Sequence, residues 1–182
     1  MTQRLDPPAP DSMEPAQRLV HDAIIAGPRG KVEGPLGVWL HSAELADRAQ
    51  ALGAFCRYGS TLPPHLSELA ILVTGAFWRA GFEWHVHAPI AEGAGIAPAA
   101  IAAIRRGEAV TFEDPAAQAV HDVARELWTT QDLSDATYLQ AEVVLGTRAM
   151  VDLVGVLGYY GLISMTIKAF RVRVPDGAEE PF

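Results

Sequence analysis

The segment 63–95 constrains the fold more than any other part of the chain, because it places ionisable side chains at helical spacing in an apolar sequence. Residues 67–79 are nearly all apolar, and on a 3.6-residue period Glu68 shares a helix face with Leu72 and Gly75. A carboxylate on such a face points into packed space, where it needs a charged or hydrogen-bonding partner. The segment therefore predicts a buried helix whose single carboxylate is paired.

The partner is expected on the helix that follows. Glu83 and His87 lie four residues apart and share one face of this second helix, whereas His85 points roughly the opposite way. Pro89 lacks an amide proton, which leaves the carbonyl of His85 without its helical donor and predicts a kink or a restart there. We therefore expect Glu68, Glu83 and His87 to form the candidate active site.

These residues resemble the core of the carboxymuconolactone decarboxylase and alkylhydroperoxidase D superfamily. Ala80 follows Glu68 by twelve residues, Glu83 follows three later, and His87 four beyond that. In the peroxidase branch of the superfamily the two middle positions are the cysteines of a CxxC motif, and the Glu and His form a proton relay. Here they are Ala80 and Glu83, within the sequence EWHVH, so the chain resembles the cysteine-free, decarboxylase-like branch. The resemblance covers about residues 35–172 and implies an all-α, alkylhydroperoxidase D-like bundle.

The rest of the chain supports an all-α fold of about seven or eight helices, in which 171–174 is the only candidate strand. Proline and cap residues predict helix starts near residues 14, 43, 63, 98, 115 and 134, and Gly146 predicts a break before a last helix that ends near residue 170. The helix predicted to start near residue 43 is expected to bury an apolar stripe, which consists of Leu45, Ala49, Leu52, Phe55 and Cys56. We expect a flexible arm at 1–12, one domain at 13–174 and a tail at 175–182.

Composition excludes several classes of protein. A net charge of −8 without a run of Lys or Arg argues against nucleic-acid binding, and one cysteine excludes an internal disulfide framework. The N-terminus has no secretory apolar region, and the uncharged run 153–167 is shorter than the roughly 20 residues that span a bilayer. A cytoplasmic protein with no membrane association is the default prediction.

The last helix also predicts close helix packing. Gly155, Gly158 and Gly161 recur every three residues and form a smooth strip. The strip suggests dense packing within one subunit or across a homo-oligomer interface. The resemblance favours the oligomer, as a trimer, hexamer or dimer.

Each candidate site residue has a predicted role. We expect His87 to be the general acid, with Glu68 or Glu83 orienting its ring; Glu83 could instead form a surface ion pair with Arg79. Arg57 or Arg79 could hold a substrate carboxylate, and Trp84 and His85 are further candidates for the pocket. A metal site is disfavoured, because His85 and His87 diverge by about 200° on a regular helix. No cofactor is expected.

Three functions remain open. The first is a cofactor-free carboxy-lyase, similar to 4-carboxymuconolactone decarboxylase, that acts on a small lactone or ring-derived carboxylic acid. The second is peroxidase activity of the alkylhydroperoxidase type, which the missing CxxC disfavours because that chemistry needs a reactive thiolate and a resolving thiol. The third is an oligomeric small-molecule binding protein without catalysis.

Overall fold

A computed structural model describes residues 2–175 and 177–182 of the chain. Within these residues the protein contains eight α-helices and no β-strand, as predicted, and 171–174 is extended chain outside any sheet. The helices are α1 (Pro15–Ala26), α2 (Pro35–Trp39), α3 (Ala43–Ala54), α4 (Pro64–Trp78), α5 (Gly81–Gly93), α6 (Pro98–Arg105), α7 (Pro115–Thr130) and α8 (Asp135–Phe170). A 3-10 turn precedes α1 at Pro10–Ser12, and a π-helical turn follows α3 at Phe55–Gly59.

Proline and acceptor side chains set the starts of most helices. Proline occupies the first turn of α1, α2, α4, α6 and α7, where its missing amide costs no helical hydrogen bond. The side chains of Asp114 and Ser134 cap α7 and α8 by accepting backbone amide protons. At α1 the cap is Glu14, in a capping box with Gln17.

Helix α4 lies at the centre of the bundle and packs against α5, α7 and α8. Ten consecutive residues of α4, Leu66–Gly75, are buried, which explains why this helix is apolar on nearly all its faces. The predicted polar exception is Glu68, and it is buried with the rest. Any chemistry that Glu68 performs therefore takes place inside the protein.

Helix α8 is interrupted where the sequence predicts a break. Gly146 has φ 78° and ψ 160°, outside the helical region, and it separates 135–145 from 147–170. The second part crosses the core, and Gly161 lets the ring of Trp128 come so close that a Cβ would lie 2.8 Å from it. By length and composition α8 could cross a membrane, but 67% of its apolar window is buried against the other helices, as in the core helix of a soluble protein.

Two predictions about the N-terminal half are wrong. The segment 27–37, whose glycines and prolines predict a loop, includes the start of α2 (Pro35–Trp39), all of whose residues are buried. The stripe expected to be buried on α3 is only partly so: Leu45, Leu52 and Phe55 are 45%, 47% and 43% exposed. The reason is that α3 packs through its small residues, Ala46, Ala49 and Gly53, which turns the larger side chains outward.

Both termini pack on the domain. The Arg4 amide donates to the carbonyl of Phe170 at 2.9 Å, and the His41 ring is 2.8 Å from the carbonyl of Asp6. The arm predicted to be flexible is thus hydrogen-bonded to α8 and to the end of α2. At the other terminus the Phe182 ring packs edge-on against Trp84, with 5.5 Å between ring centres.

Candidate active site

Glu68, His87 and Glu83 form a buried, hydrogen-bonded triad between α4 and α5. The distance from Nδ1 of His87 to Oε2 of Glu68 is 2.6 Å, and that from Nε2 of His87 to Oε1 of Glu83 is 2.9 Å. All three side chains are only 4–5% exposed. The structure therefore brings together the three residues predicted to be catalytic, and it leaves neither ring nitrogen of His87 unpaired.

The two helices must cross for this triad to form. At 1.5 Å per residue, Glu68 lies about 16 Å along α4 from the turn at Arg79, and His87 lies about 10 Å along α5. Straight antiparallel helices would hold these residues at different heights, so a direct hydrogen bond requires an inclined crossing. Arg79 makes the turn in the left-handed conformation, with φ 48°. Helix α5 continues through Pro89 to Gly93, so it does not restart there.

The two carboxylates stabilise the charged form of His87. Neutral imidazole donates through one nitrogen only, whereas imidazolium donates through both, which is what two facing carboxylates require. Burial by itself would lower the pKa of His87, but the negative charge of Glu83 and hydrogen bonds to Glu68 and Glu83 outweigh it and raise that pKa to about 9. At neutral pH the triad is an imidazolium between two carboxylates, with a net charge of −1.

Beside the triad is a small cavity of about 40 Å³. That volume holds about two or three water molecules, so a ring-sized ligand requires movement of the surrounding side chains. The residues that line it come from four segments of the chain and are Arg29, Glu33, Pro35, Leu36, Arg57, Phe82, Glu83, Val86, His87, Tyr159, Tyr160 and Ile163. Glu83 and His87 line this cavity, whereas Glu68 lies behind them.

Two tyrosines of α8 form one wall of the cavity. The ring of Tyr160 meets the His87 ring edge-on, with 5.3 Å between ring centres. Burial raises the pKa of Tyr160 well above its usual value and that of Tyr159 to about 12. Both side chains therefore stay protonated at neutral pH and can donate hydrogen bonds.

The other predicted site residues divide into two groups. Arg57 lines the cavity, because the π-helical turn that follows α3 carries it there. Trp84 and His85 instead line a groove on the far side of α5, and His85 is exposed. Arg79 lies over the Phe182 ring, 5.8 Å from its centre. The structure thus does not bring Trp84, His85 or Arg79 to the triad.

Arg79, the alternative partner predicted for Glu83, does not pair with it in the structure. Glu83 is buried and pairs with His87, so it forms no surface ion pair with Arg79. Among the described residues, no group of three or more His, Cys, Asp or Glu side chains is arranged to hold a metal ion. His85 and His87 diverge on α5 as the helical geometry predicts.

Sequence reasoning missed Arg29, Tyr159 and Tyr160. Arg29 lies in the Gly- and Pro-rich connection between α1 and α2, where the sequence gives no periodicity to show which way a side chain points. The tyrosine pair was visible as two adjacent phenol groups in the apolar run 153–167. Phenols in a core helix usually find a hydrogen-bond partner, so this pair was the available signal for a polar cavity.

Cys56 is the only cysteine and lies in the hydrophobic core. Burial, with a smaller effect from the charge of Asp152, raises the pKa of its thiol to about 11. At neutral pH the thiol is therefore protonated. The predicted role of Cys56 as a small core side chain agrees with this position.

Comparison with known proteins supports the superfamily and the fold. The sequence model of the carboxymuconolactone decarboxylase family matches residues 43–126, the region that contains the triad. No curated protein matches the chain.

Several solved structures share the fold at low sequence identity. An uncharacterized peroxidase-related protein from Silicibacter sp. TM1040 has a TM-score of 0.76 at 14% identity, with 96% of this chain and 92% of that chain covered. The debrominase Bmp8 has a TM-score of 0.75 at 12% identity, with 97% and 94% covered. A protein of unknown function from Agrobacterium tumefaciens, proposed to be the antioxidant defence protein AhpD, has a TM-score of 0.68 at 12% identity, with 79% and 99% covered.

Proposed function

We propose that the chain is a carboxymuconolactone decarboxylase-like, cofactor-free lyase that removes CO2 from a small lactone or ring-derived carboxylic acid. The observation that carries the proposal is the buried Glu68–His87–Glu83 triad beside a cavity. Ionisable groups held out of water in a strongly coupled set are typical of acid–base sites. The substrate class is the part of the proposal that rests on the family.

The geometry changes the role that the sequence suggested for His87. Each of its ring nitrogens lies within 2.9 Å of a carboxylate oxygen, so neither is free to meet a substrate. Glu83 lines the cavity and accepts from His87, which makes Glu83 the group that exchanges a proton with the substrate. In this mechanism His87 supplies that proton, and Glu68 holds the ring in position and stabilises its charge.

The reaction balances with these groups alone. The bond between the carboxylate carbon and the ring breaks, CO2 leaves, and the electron pair remains on the substrate as a dienolate. A proton passes from His87 to Glu83 and from Glu83 to carbon, which discharges the dienolate. The neutral imidazole then regains one proton from solvent, so each turnover consumes one proton. Tyr160, which stays protonated beside the His87 ring, could donate a hydrogen bond to the developing negative charge.

The peroxidase alternative lacks a suitable thiol. Ala80 and Glu83 occupy the positions of the CxxC cysteines, and Cys56 is buried with a pKa raised to about 11. Thiol peroxidases need a thiolate at neutral pH, so this chain would need a different mechanism. The similarity to the debrominase concerns the fold, and it leaves the reaction class of this chain to experiment.

The test is a CO2-release and absorbance assay of the purified protein on 4-carboxymuconolactone. The Glu83→Gln variant keeps the size of the side chain but cannot transfer a proton, and we expect turnover to fall by about 10² to 10⁴. His85→Gln on the same helix is the matched control, because His85 is exposed and lies outside the cavity. Circular dichroism checks that both variants fold.

Two results would contradict the proposal. Full turnover by folded Glu83→Gln would remove Glu83 from the mechanism. No turnover by the wild-type protein would reject this substrate; thermal stabilisation by the same compound without turnover would then favour the binding-protein function.

The homo-oligomer stays a prediction. The prediction is supported by exposed apolar side chains of α8: Val143, Val151 and Val154 are each more than half exposed in the monomer. Sedimentation velocity measures the assembly. A species of 19.5 kDa at micromolar concentration would contradict the prediction.

A further inference from the structure

Two arginines from different segments line the cavity beside the triad. Arg29 lies in the connection between α1 and α2, and Arg57 lies in the π-helical turn Phe55–Gly59. Among the described residues, neither arginine forms an ion pair with a carboxylate. π-helical turns occur frequently at functional sites, and this one places Arg57 at the cavity while Cys56 enters the core.

Arg29 is held in place but lacks an acceptor for one of its donors. Its Nη2 donates to the hydroxyl of Tyr159 at 3.3 Å, and its Nε is buried without a hydrogen-bond partner. Gly53 on α3 leaves the space for this pair, since a Cβ there would collide with both the tyrosine hydroxyl and the guanidinium. A buried donor without a partner is costly, so the cavity lacks an acceptor that a ligand could supply.

The charges around the cavity favour an anion. The triad contributes −1 at neutral pH, and the two arginines contribute +2. Glu33 also lines the cavity, but its carboxylate is paired with Lys31 at 2.8 Å, so that pair adds no net charge. The sum is +1, and one bound carboxylate neutralises it. Guanidinium groups suit this role because they bind carboxylates through two parallel hydrogen bonds.

We propose that Arg29 and Arg57 form a clamp for a carboxylate that the substrate retains, and that Arg29 determines specificity for anionic over neutral ligands. The inference deepens the lyase proposal and rests on it for the reaction itself. The clamp cannot hold the carboxylate that leaves, because a strong ion pair would stabilise the ground state and slow the loss of CO2.

The connection that carries Arg29 is positioned against α5. Gly34 has φ 57°, and a Cβ at this position would overlap the Phe82 ring. Because Phe82 directly precedes Glu83, the position of this connection is coupled to the substrate-facing end of the triad. Arg29 and Arg57 belong to separate segments of the chain, so each can be altered independently.

Binding of a simple ring carboxylate tests the clamp without requiring turnover. The probe is 2-furoate, titrated by calorimetry against its neutral amide, 2-furamide. We expect the wild-type protein to bind the acid and to bind the amide at least about tenfold more weakly, since a hydrogen bond to a charged group contributes about 1.5–3 kcal/mol.

Substitutions identify the residue responsible. Arg29→Met keeps the length of the side chain and removes its charge, and we expect it to weaken 2-furoate binding about 10- to 100-fold with no effect on 2-furamide. Arg29→Lys keeps the charge without the planar fork and is expected to restore binding in part. Arg105→Met, on the exposed side of α6, is the matched control and should bind as the wild type does.

The outcomes separate this inference from the lyase proposal. Equal binding of acid and amide by the wild-type protein, no binding of 2-furoate, or unchanged binding by Arg29→Met would each overturn the clamp. Selective binding that depends on Arg29, in a protein that releases no CO2 from 4-carboxymuconolactone, would support the clamp while the lyase proposal fails.

Discussion

The two sides of α4 border cavities that differ in size and in chemistry. On one side Glu68 pairs with His87 beside a cavity of about 40 Å³. On the other side, a cavity of about 160 Å³ lies between α4, α6 and α7, and the stacked rings of Phe77 and Trp128 form part of its wall. Among the described residues that line the larger cavity, no comparable buried set of coupled ionisable groups occurs: its buried His121 pairs with the neighbouring Asp122 and packs against the Phe112 ring. Of these two cavities, the smaller one borders the coupled ionisable groups.

The difference shows that the energetic cost of a site is a better guide to chemistry than its volume. Burying an imidazolium and two carboxylates removes three charges from water, and only close hydrogen bonds among them offset that penalty. An apolar cavity costs only the packing contacts that are missing from its walls. The triad is therefore the feature of α4 that stability alone does not explain.

The largest expected difference is between Glu68→Leu and Thr74→Val, one on each side of α4. Glu68→Leu leaves a buried charge with one partner fewer, so we expect a loss of about 3–5 kcal/mol in the free energy of unfolding and loss of turnover. Glu68→Gln, which keeps an acceptor oxygen, should lose less stability.

Thr74→Val, on the other side of α4, removes the hydroxyl oxygen that accepts from the indole N–H of Trp128 at 3.1 Å. It should cost about 1–3 kcal/mol in the free energy of unfolding without affecting turnover. Denaturant unfolding and the CO2 assay measure both, and a larger loss for Thr74→Val would contradict the comparison.

The pH dependence of the free energy of unfolding should respond differently to substitutions on the two sides of α4. The folded-state pKa of His87 is raised to about 9 from an unfolded value near 6.5, so its stabilisation is fully present below about pH 6.5 and is lost as the pH rises through 9. We expect the free energy of unfolding to fall by about 3 kcal/mol across that range.

Denaturant unfolding at a series of pH values measures this slope. His87→Asn should lack it, and His121→Gln, on the other side of α4, should retain it. An unchanged slope in His87→Asn would show that the triad does not hold the imidazolium.

The smallest expected effect concerns the aromatic side and uses two glycines of α8. Gly161→Ala would place a Cβ 2.8 Å from the Trp128 ring and should cost about 1–3 kcal/mol through overpacking. Gly158→Ala meets no atom within 4 Å and should gain up to about 1 kcal/mol through helix propensity. Thermal unfolding measures both, and turnover should survive in both. Equal effects of the two substitutions would contradict the packing of Trp128 against α8.

Most of the fold and part of the site could be predicted from the sequence. The spacing of Glu83 and His87 identified one face of α5, and the apolar surroundings of Glu68 identified its burial, because both follow from helix geometry. Contact between Glu68 and His87 required the crossing of α4 and α5, which no local pattern encodes. The exposure of Leu45 on α3 also escaped prediction, since a helix with small residues on one side can pack through that side instead.

The roles of individual groups were harder to predict than their presence. His87 was identified from spacing, but the pairing of both its nitrogens, which moves the proton-donating role to Glu83, depends on atomic positions. Arg29 could not be identified because a connection rich in Gly and Pro has no periodicity. Its importance is visible only through an unpaired donor and the space left by Gly53.

The burial of Cys56 has a consequence for how robust the protein is toward its surroundings. Oxidants and alkylating reagents attack the accessible thiolate, and the only sulfhydryl of this chain is protonated and enclosed in the core. The Glu68–His87–Glu83 triad contains no sulfur. The proposed chemistry would therefore be insensitive to iodoacetamide and to the redox potential of the medium. A protein with the same fold and cysteines at the positions of Ala80 and Glu83 would be sensitive to both.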